Sequence, residues 1–579
     1  MGVVAGEELR RQRLTTSELR LGPVALSAPA ALGLLLFFVA PIAAFFVYSF
    51  LTAGLFRVSR PLTLTGYEEV VTSSLNGTLA VNSFIIGFST AAVSLLVALP
   101  VAYWLRFASG RWQTFVLFLI AATFFASYLV RIYAWRSILG ENGLLNTGLR
   151  SIGVIHQPIG FLLFNRFSVT VALVHIFLPY VVLVLFAGFR PISPELLESS
   201  MDLGASAMLR WRRVLLPLIA APAATSFLFV FILSSSDPVT AQFLGGTEGA
   251  MLGVRVRETL VTTGNWPFGA ALSFLMLAAF AVCFGITALG LRLLRLDRVR
   301  FSDAGPGAAE HRSIPALAVT VLALFFLYLP LAMVVLFSFH KTGGLSFPFK
   351  GFSTRWYESV FSSAEFRASL RNSTIVATVT SAVTLVLGTA AAYGLTRMSR
   401  ALRAPFGVLF FLPLTLPGLF LGISLLVYFV RLDFRLSLWT VAIAHVVYVF
   451  PYFLLIARAT LDRVDVTLEE SAADLGASPL RIFRRVTLPQ IWPLLVGATV
   501  LAFALSFDEF IITFFVIGPQ STLPMYIWSS LRRTVDPSIN VISTVLMAVT
   551  IFLWVIAFAV VFRAERKRRR TLGLGVAGV

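Results

Sequence analysis

The sequence predicts an all-α polytopic membrane protein, about twelve transmembrane helices in two homologous six-helix halves. Three observations carry this. Of 579 residues 58% are hydrophobic and 13% charged, with a mean hydropathy of +0.88, outside the range of soluble globular chains. Apolar runs of about 20 residues or more, enough to cross a bilayer, recur from one end to the other. Two charged stretches read almost alike, ESSMDLGASAMLRWRRVLLP at 198–217 and ESAADLGASPLRIFRRVTLP at 470–489.

Residues 1–22 carry Arg10, Arg11, Arg13 and Arg20 and little that packs, and are expected to form a basic cytosolic tail. The apolar run near 23–51 is too long for a cleaved signal sequence, so it is expected to remain as a membrane helix. Further spans are expected near 78–105, 112–135, 168–189, 214–236 and 269–294, completing a first six-helix domain over 23–294. Residues 295–313 are polar, basic and broken by Gly305-Pro306-Gly307, which suits a cytosolic linker. A second domain, 314–562, repeats the plan near 314–339, 371–396, 404–430, 438–460, 487–515 and 540–562. A basic cytosolic tail, 563–579, follows.

The halves match beyond the charged stretches. Asn82-Ser83 through Ala102-Tyr103 aligns with Asn372-Ser373 through Ala392-Tyr393, Pro179-Tyr180 with Pro451-Tyr452, and Gly246 with Gly518. Six crossings return the chain to its starting side, so both charged stretches face one compartment. The arginine clusters make that compartment the cytosol. The formal charge of +19 therefore reports topology rather than nucleic-acid binding, because the arginines sit between apolar runs and at the ends. One cysteine, Cys283, excludes an internal disulfide and a cysteine-based zinc site. The three lysines, Lys341, Lys350 and Lys567, all lie outside any GxxxxGKS or GxxxxGKT context, so this chain has no P-loop and no sign of being an enzyme. No metal site is expected. His175 and His445, which precede Pro179 and Pro451, read as interhelical hydrogen-bonding residues.

In each duplicated stretch a Glu and an Asp four residues apart share a helix face, Glu198 with Asp202 and Glu470 with Asp474. Gly204 and Gly476 permit a tight turn, and Arg212-Arg213 and Arg484-Arg485 precede Pro217 and Pro489, where a membrane helix begins. This pattern resembles the cytoplasmic coupling loop of bacterial ABC importer permeases. The resemblance implies the type I permease fold, two short helices about the glycine, and docking of each loop in a groove on an ATPase. It further implies two copies of a cytosolic ATPase, which would bind the ATP and magnesium, an extracytoplasmic solute-binding protein, and the bacterial inner membrane with both termini cytosolic. A single copy of this chain would then serve each transporter, with no cofactor of its own.

Within that family, SYLVRIYAWRSILGENGLLN (127–146), SSDPVTAQFLGG (235–246) and NWPFGAALS (265–273) resemble the first permease subunit of spermidine/putrescine importers. LSFDEFIITFFVIG (505–518) and TLPMYIW (522–528) resemble the second. The resemblance implies two permease subunits fused in one chain and a polyamine or similar small solute. Permeases for other solutes, such as an organophosphonate or ferric iron, are similar to these. An ion-gradient-driven secondary transporter is the reading from a different class; it has no need of the duplicated loop, and Asp508-Glu509 would be its ion site.

Ionisable groups at membrane depth are functional candidates by default. Asp237, Asp508 and Glu509 fit a path for an organic cation, with Tyr128, Tyr133, Trp135 and Trp266 placed for cation–π contact. Asp237 precedes Pro238, so capping of a helix break is the competing role, and pairing with Arg131, Arg255 or Arg532 is another. Arg131, Arg136, Arg255 and Arg257 suit either docking of the binding protein or anchoring at the membrane interface.

Overall fold

A buried amide in hydrocarbon has no water to bond, so the apolar runs close their hydrogen bonds within helices. The computed structural model describes residues 18–54, 57–59, 62–108, 110–296, 313–342, 349–533 and 537–571. Most of the expected N-terminal tail and linker, and residues 572–579, lie outside these. Among the described residues ten helices are long and apolar enough to span: Gly22–Tyr48, Ser74–Phe107, Arg166–Phe189, Ala207–Ser235, Trp266–Leu293, Ile314–Ser338, Ala364–Arg397, Leu438–Leu461, Pro479–Phe507 and Ser538–Val560.

The difference from twelve comes from the third span of each half, which is broken rather than continuous. Expected over 112–135, the first is a helix Gln113–Ala122, a 3-10 turn Thr123–Phe125, extended backbone at Ala126 and Ser127, then a helix Tyr128–Leu139. Its counterpart, expected over 404–430, is Arg400–Phe411 with a 3-10 turn Leu412–Thr415, followed by Gly418–Arg431 at a bend of 103°. Pro413 and Pro417 explain the second break, since each lacks an amide donor and the residue before Pro417, Leu416, is driven extended. No proline marks the first break. There Arg131, 5% exposed, donates from Nε and Nη2 to the Ala126 carbonyl at 2.9 and 2.6 Å and from Nη1 to the Ile176 carbonyl at 3.5 Å. Arg131 is thus turned inward, satisfying carbonyls the break leaves open, and is neither a docking residue nor a surface anchor.

Two further bounds move. The helix expected over 487–515 ends at Phe507 and resumes as Ile511–Val516. The last helix runs Ser538–Thr571, carrying the basic run 563–570 that was expected as a tail; Arg and Lys are good helix formers and favour its C-terminal end.

The chain forms two compact units. Among the described residues, one comprises 18–44, 367–525 and 552–571, and the other comprises those of 45–366 and 526–551. The first helix of each half therefore belongs mostly to the unit built from the other half. In the unit 45–366, helices Ser74–Phe107, Arg166–Phe189 and Leu216–Ser235 pack on one another, and Ile314–Ser338 lies against Ser74–Phe107 and Tyr128–Leu139. In the other unit Leu438–Leu461 packs on Leu488–Phe507, and Glu18–Leu34 on Arg400–Phe411. Small residues let these backbones approach. A Cβ at Gly394 would lie 2.5 Å from the Pro23 carbonyl oxygen, and one at Gly87 would lie 3.1 Å from that of Phe231.

Candidate functional site

The duplicated stretches fold as near copies. In the first, Pro194–Asp202 is a helix with Pro at its first turn, Gly204 turns the chain at φ +77°, and Ala207–Arg210 begins a second helix that continues through a π-helical turn, Trp211–Leu215, into Leu216–Ser235. The second runs Val466–Asp474, Gly476 at φ +78°, Pro479–Ile482, a π-helical turn Phe483–Thr487, then Leu488–Phe507. Both first helices end in the same motif. The Gly204 and Gly476 amides donate to Met201 and Ala473, and those of Ala205 and Ala477 reach back to Ser200 and Ala472 at 3.0 Å. This pairing needs a left-handed residue, which glycine adopts without a Cβ penalty.

Glu198, Asp202, Arg212, Arg213, Glu470, Asp474, Arg484 and Arg485 are all exposed; Pro217 is half-buried and Pro489 exposed. Between the acidic pair and the glycine of each loop stands a leucine that sequence reasoning passed over. Leu203 is 88% and Leu475 89% exposed, an apolar tip flanked by carboxylates and held on a rigid turn. Such a tip suits insertion into a partner's groove. At the head of the second loop, the Asp465 carboxylate accepts the Thr467 hydroxyl at 2.8 Å and its amide at 3.0 Å, and these bonds hold its pKa below the usual carboxylate value.

Sequence reasoning also missed Glu469. Its neighbour Glu470 drew attention as part of the repeat, but Glu469 is 8% exposed and grips Arg397, at the last turn of Ala364–Arg397, through both carboxylate oxygens; the Nε contact is 3.1 Å. The Thr487 hydroxyl donates to the same carboxylate at 2.5 Å, and the Arg397 guanidinium lies 3.7 Å from the centre of the Tyr393 ring. A bidentate pair of this kind fixes geometry as well as charge.

Asp237 and Glu509 each cap the short helical segment after a break. Asp237 Oδ1 accepts the Val239 and Thr240 amides, both at 2.8 Å, and Oδ2 accepts the Tyr128 hydroxyl. Glu509 accepts the Ile512 and Thr513 amides at 2.7 and 2.8 Å and lies 3.2 Å from His445 Nε2. So Tyr128 and Asp237 meet. Trp135, by contrast, is buried against His175 and Phe326, Tyr133 is buried on the same helix, and Trp266 bonds the Leu260 carbonyl. Asp508 follows the end of its helix, beside Glu509.

His175 bonds the Leu327 carbonyl at 2.9 Å and His445 the Ser506 and Thr513 hydroxyls at 2.8 Å, so both join separate helices. Arg255 and Arg257 lie over the rings of Phe268 and Trp528. Asn82 and Asn372 donate to carbonyls at Ala250 and Ser521, while Ser83 and Ser373 accept the Leu252 and Leu523 amides at 2.9 and 2.8 Å. The aligned Asn-Ser pairs therefore tie the same loop in each half. A cavity of about 10 Å³ lined by Ser137, Phe337 and Asn540, among others, has room for no more than a water.

Comparison with known proteins adds independent findings. The family described as "Binding-protein-dependent transport system inner membrane component" matches residues 384–570. The chain is 34% identical over 270 residues to the putrescine transport system permease protein PotI of Escherichia coli K12, covering 45% of this chain and 95% of that one. It is 30% identical over 245 residues to the spermidine/putrescine transport system permease protein PotC of the same organism, 42% of this chain and 91% of that one. To PotB of Haemophilus influenzae it is 30% identical over 213 residues, 37% of this chain and 74% of that one.

Proposed function

The chain belongs to the family of binding-protein-dependent transport system inner membrane components, and on that premise we propose that it forms the whole membrane pathway of a polyamine importer. It is about twice as long as the permeases it resembles, as a fusion of two such subunits would be. One copy per transporter then replaces a pair of subunits. The multi-pass chain lies in the inner membrane, with both termini in the cytosol.

The observation that carries this reading is the repeated loop, two exposed turns with the same backbone and the same leucine tip. Each docks one copy of a cytosolic ATPase, which holds the ATP and magnesium. Nucleotide binding draws Glu198–Pro217 and Glu470–Pro489 together and opens a cavity outward to a solute-binding protein; hydrolysis resets it. Glu198, Asp202, Glu470 and Asp474 face the ATPase, and the paired arginines hold each loop at the membrane surface. A spermidine or putrescine substrate follows from the relatives' names.

The test is co-purification of the tagged chain from its native membrane, followed by ATPase and uptake assays. An ATPase at two copies per chain, lost in the Glu198→Lys, Glu470→Lys double variant, is the expected result, together with hydrolysis stimulated by the binding protein loaded with spermidine. A chain that emerges alone and transports under an ion gradient without ATP would overturn the reading. Stimulation by an unrelated solute would overturn the polyamine assignment alone.

A further inference from the structure

Aligning the halves residue by residue exposes a difference beneath their likeness. Arg397, Glu469 and Thr487, which meet under the second loop, align with Phe107, Leu197 and Leu215 under the first. All three first-half residues are buried, at 3%, 2% and 2% exposure. The same junction, between the end of the second membrane helix and the base of the loop, is thus a bidentate ion pair in one half and, in the other, hydrocarbon beside a single hydrogen bond from Arg106 Nη2 to the Ile192 carbonyl at 3.0 Å. In the second half the Arg397 side chain is 23% and that of Glu469 10% exposed.

These two chemistries respond differently to displacement. Apolar contact is non-directional, so side chains slide past one another with little change in energy while area stays buried. A forked guanidinium–carboxylate contact is directional, and separating a buried pair leaves a charge without its partner. From this contrast we infer that the two coupling loops are mechanically unequal. Arg397, Glu469 and Thr487 latch the second loop to the helix Ala364–Arg397 so that the two move as one body, whereas the first loop, held there by apolar contact and the one Arg106–Ile192 hydrogen bond, shifts more freely on its helix. They are positioning residues, acting through the loop and not on solute or nucleotide. The inference rests on the coupling role proposed above for the loops.

The experiment compares the native chain with two variants. One is Glu469→Gln, which keeps the shape and loses the charge. The other is the triple variant Arg397→Phe, Glu469→Leu, Thr487→Leu, which installs the first half's three apolar residues without an equivalent of Arg106. Spin labels at Ser399→Cys and Ser471→Cys, both exposed, in a Cys283→Ala background, report the distance across the latch with and without trapped ATP. The native chain should give one narrow distance that nucleotide leaves in place, and the triple variant a broadened distance that shifts with nucleotide. Reconstituted with ATPase and binding protein, both variants should hydrolyse ATP within about twofold of native while spermidine uptake per ATP falls roughly threefold to thirtyfold. The exchanged pair Arg397→Glu with Glu469→Arg, which keeps an ion pair, should recover part of that loss.

A triple variant with native distances and native uptake per ATP would overturn the latch, as would variants that lose the ATPase altogether. If the triple variant fails to insert, Glu469→Gln and the exchanged pair decide the matter by the same readouts. A native chain that binds no ATPase would sink the importer reading. The distance measurement on the chain alone would still judge the latch.

Discussion

Gly204 and Gly476 hold the same left-handed backbone, φ +77° and +78°, in loops 272 positions apart in the alignment. No atom lies within 4 Å of where a Cβ would stand on either. Space is therefore free, and the constraint is conformational: an ordinary L-residue there costs about 1–2 kcal/mol, with Asn and Asp the best tolerated. Asn and Asp differ little in shape, so comparing them separates backbone from charge. Gly204→Asp with Gly476→Asp, which adds negative charge beside Asp202 and Asp474, should abolish uptake while the chain remains in the membrane fraction. The Asn pair should keep most uptake. Uptake measured alongside immunoblots of membranes checks both, and equal loss in the two pairs would mean that the turn itself, not its charge, had failed.

The leucine tips make a second prediction. Leu203 and Leu475 are almost wholly exposed, so Leu→Ser at either should leave stability within about 0.5 kcal/mol. If the tips fill grooves on the ATPase, each change should weaken its binding roughly tenfold. Titrating purified ATPase onto the chain in detergent micelles reads the affinity, and thermal unfolding reads the stability. Unchanged affinity in both variants would remove the leucines from the interface.

Much of this was legible in the sequence because it depends on local rules. Spans such as Arg166–Phe189 and Leu438–Leu461 fall within two residues of the apolar runs that announced them, and the glycine of each loop declared its turn. What escaped depends on tertiary partners. The break at Ala126-Ser127 has no proline to mark it and persists because Arg131 folds back onto the freed carbonyls. Glu469 read as one more loop charge because its partner, Arg397, lies 72 residues earlier; only its apolar counterpart in the first half, Leu197, hinted at burial. The exchange of first helices between units leaves no mark on either half's own hydropathy, since a helix is equally apolar whichever neighbour it meets.

Asp237 and Glu509 were candidates for a cation path, and their geometry is that of caps. Each accepts two backbone amides at the start of a short helical segment. Losing such a cap costs about 0.5–2 kcal/mol. Asp237→Ala and Glu509→Ala should therefore lower the unfolding temperature, and Asp237→Asn and Glu509→Gln, which keep a carbonyl acceptor, should lower it less. The amide variants should also retain spermidine uptake, because a cap requires an acceptor and not a charge. If the amide variants unfold like native yet take up no spermidine, the carboxylates act on the solute as well.

The second loop should loosen in acid where the first does not. Asp465 has a pKa below its ordinary 3.8 because the Thr467 hydroxyl and amide bond its ionised form. A carboxylate with a depressed folded pKa contributes stability that is present above the unfolded value and lost as pH falls through the folded one. The contribution should therefore be complete above about pH 4 and disappear below it. At the matching N-terminus of the first loop, Ser193 makes no side-chain cap bond and does not titrate, so that loop is an internal control. Hydrogen exchange at the start of Val466–Asp474, corrected for intrinsic rates, should accelerate as pH is lowered from about 5 to about 2.5, while Pro194–Asp202 stays level. Asp465→Asn should flatten the response, because an amide caps the helix without a proton to gain. Acceleration that survives this substitution would place the acid sensitivity elsewhere in the loop.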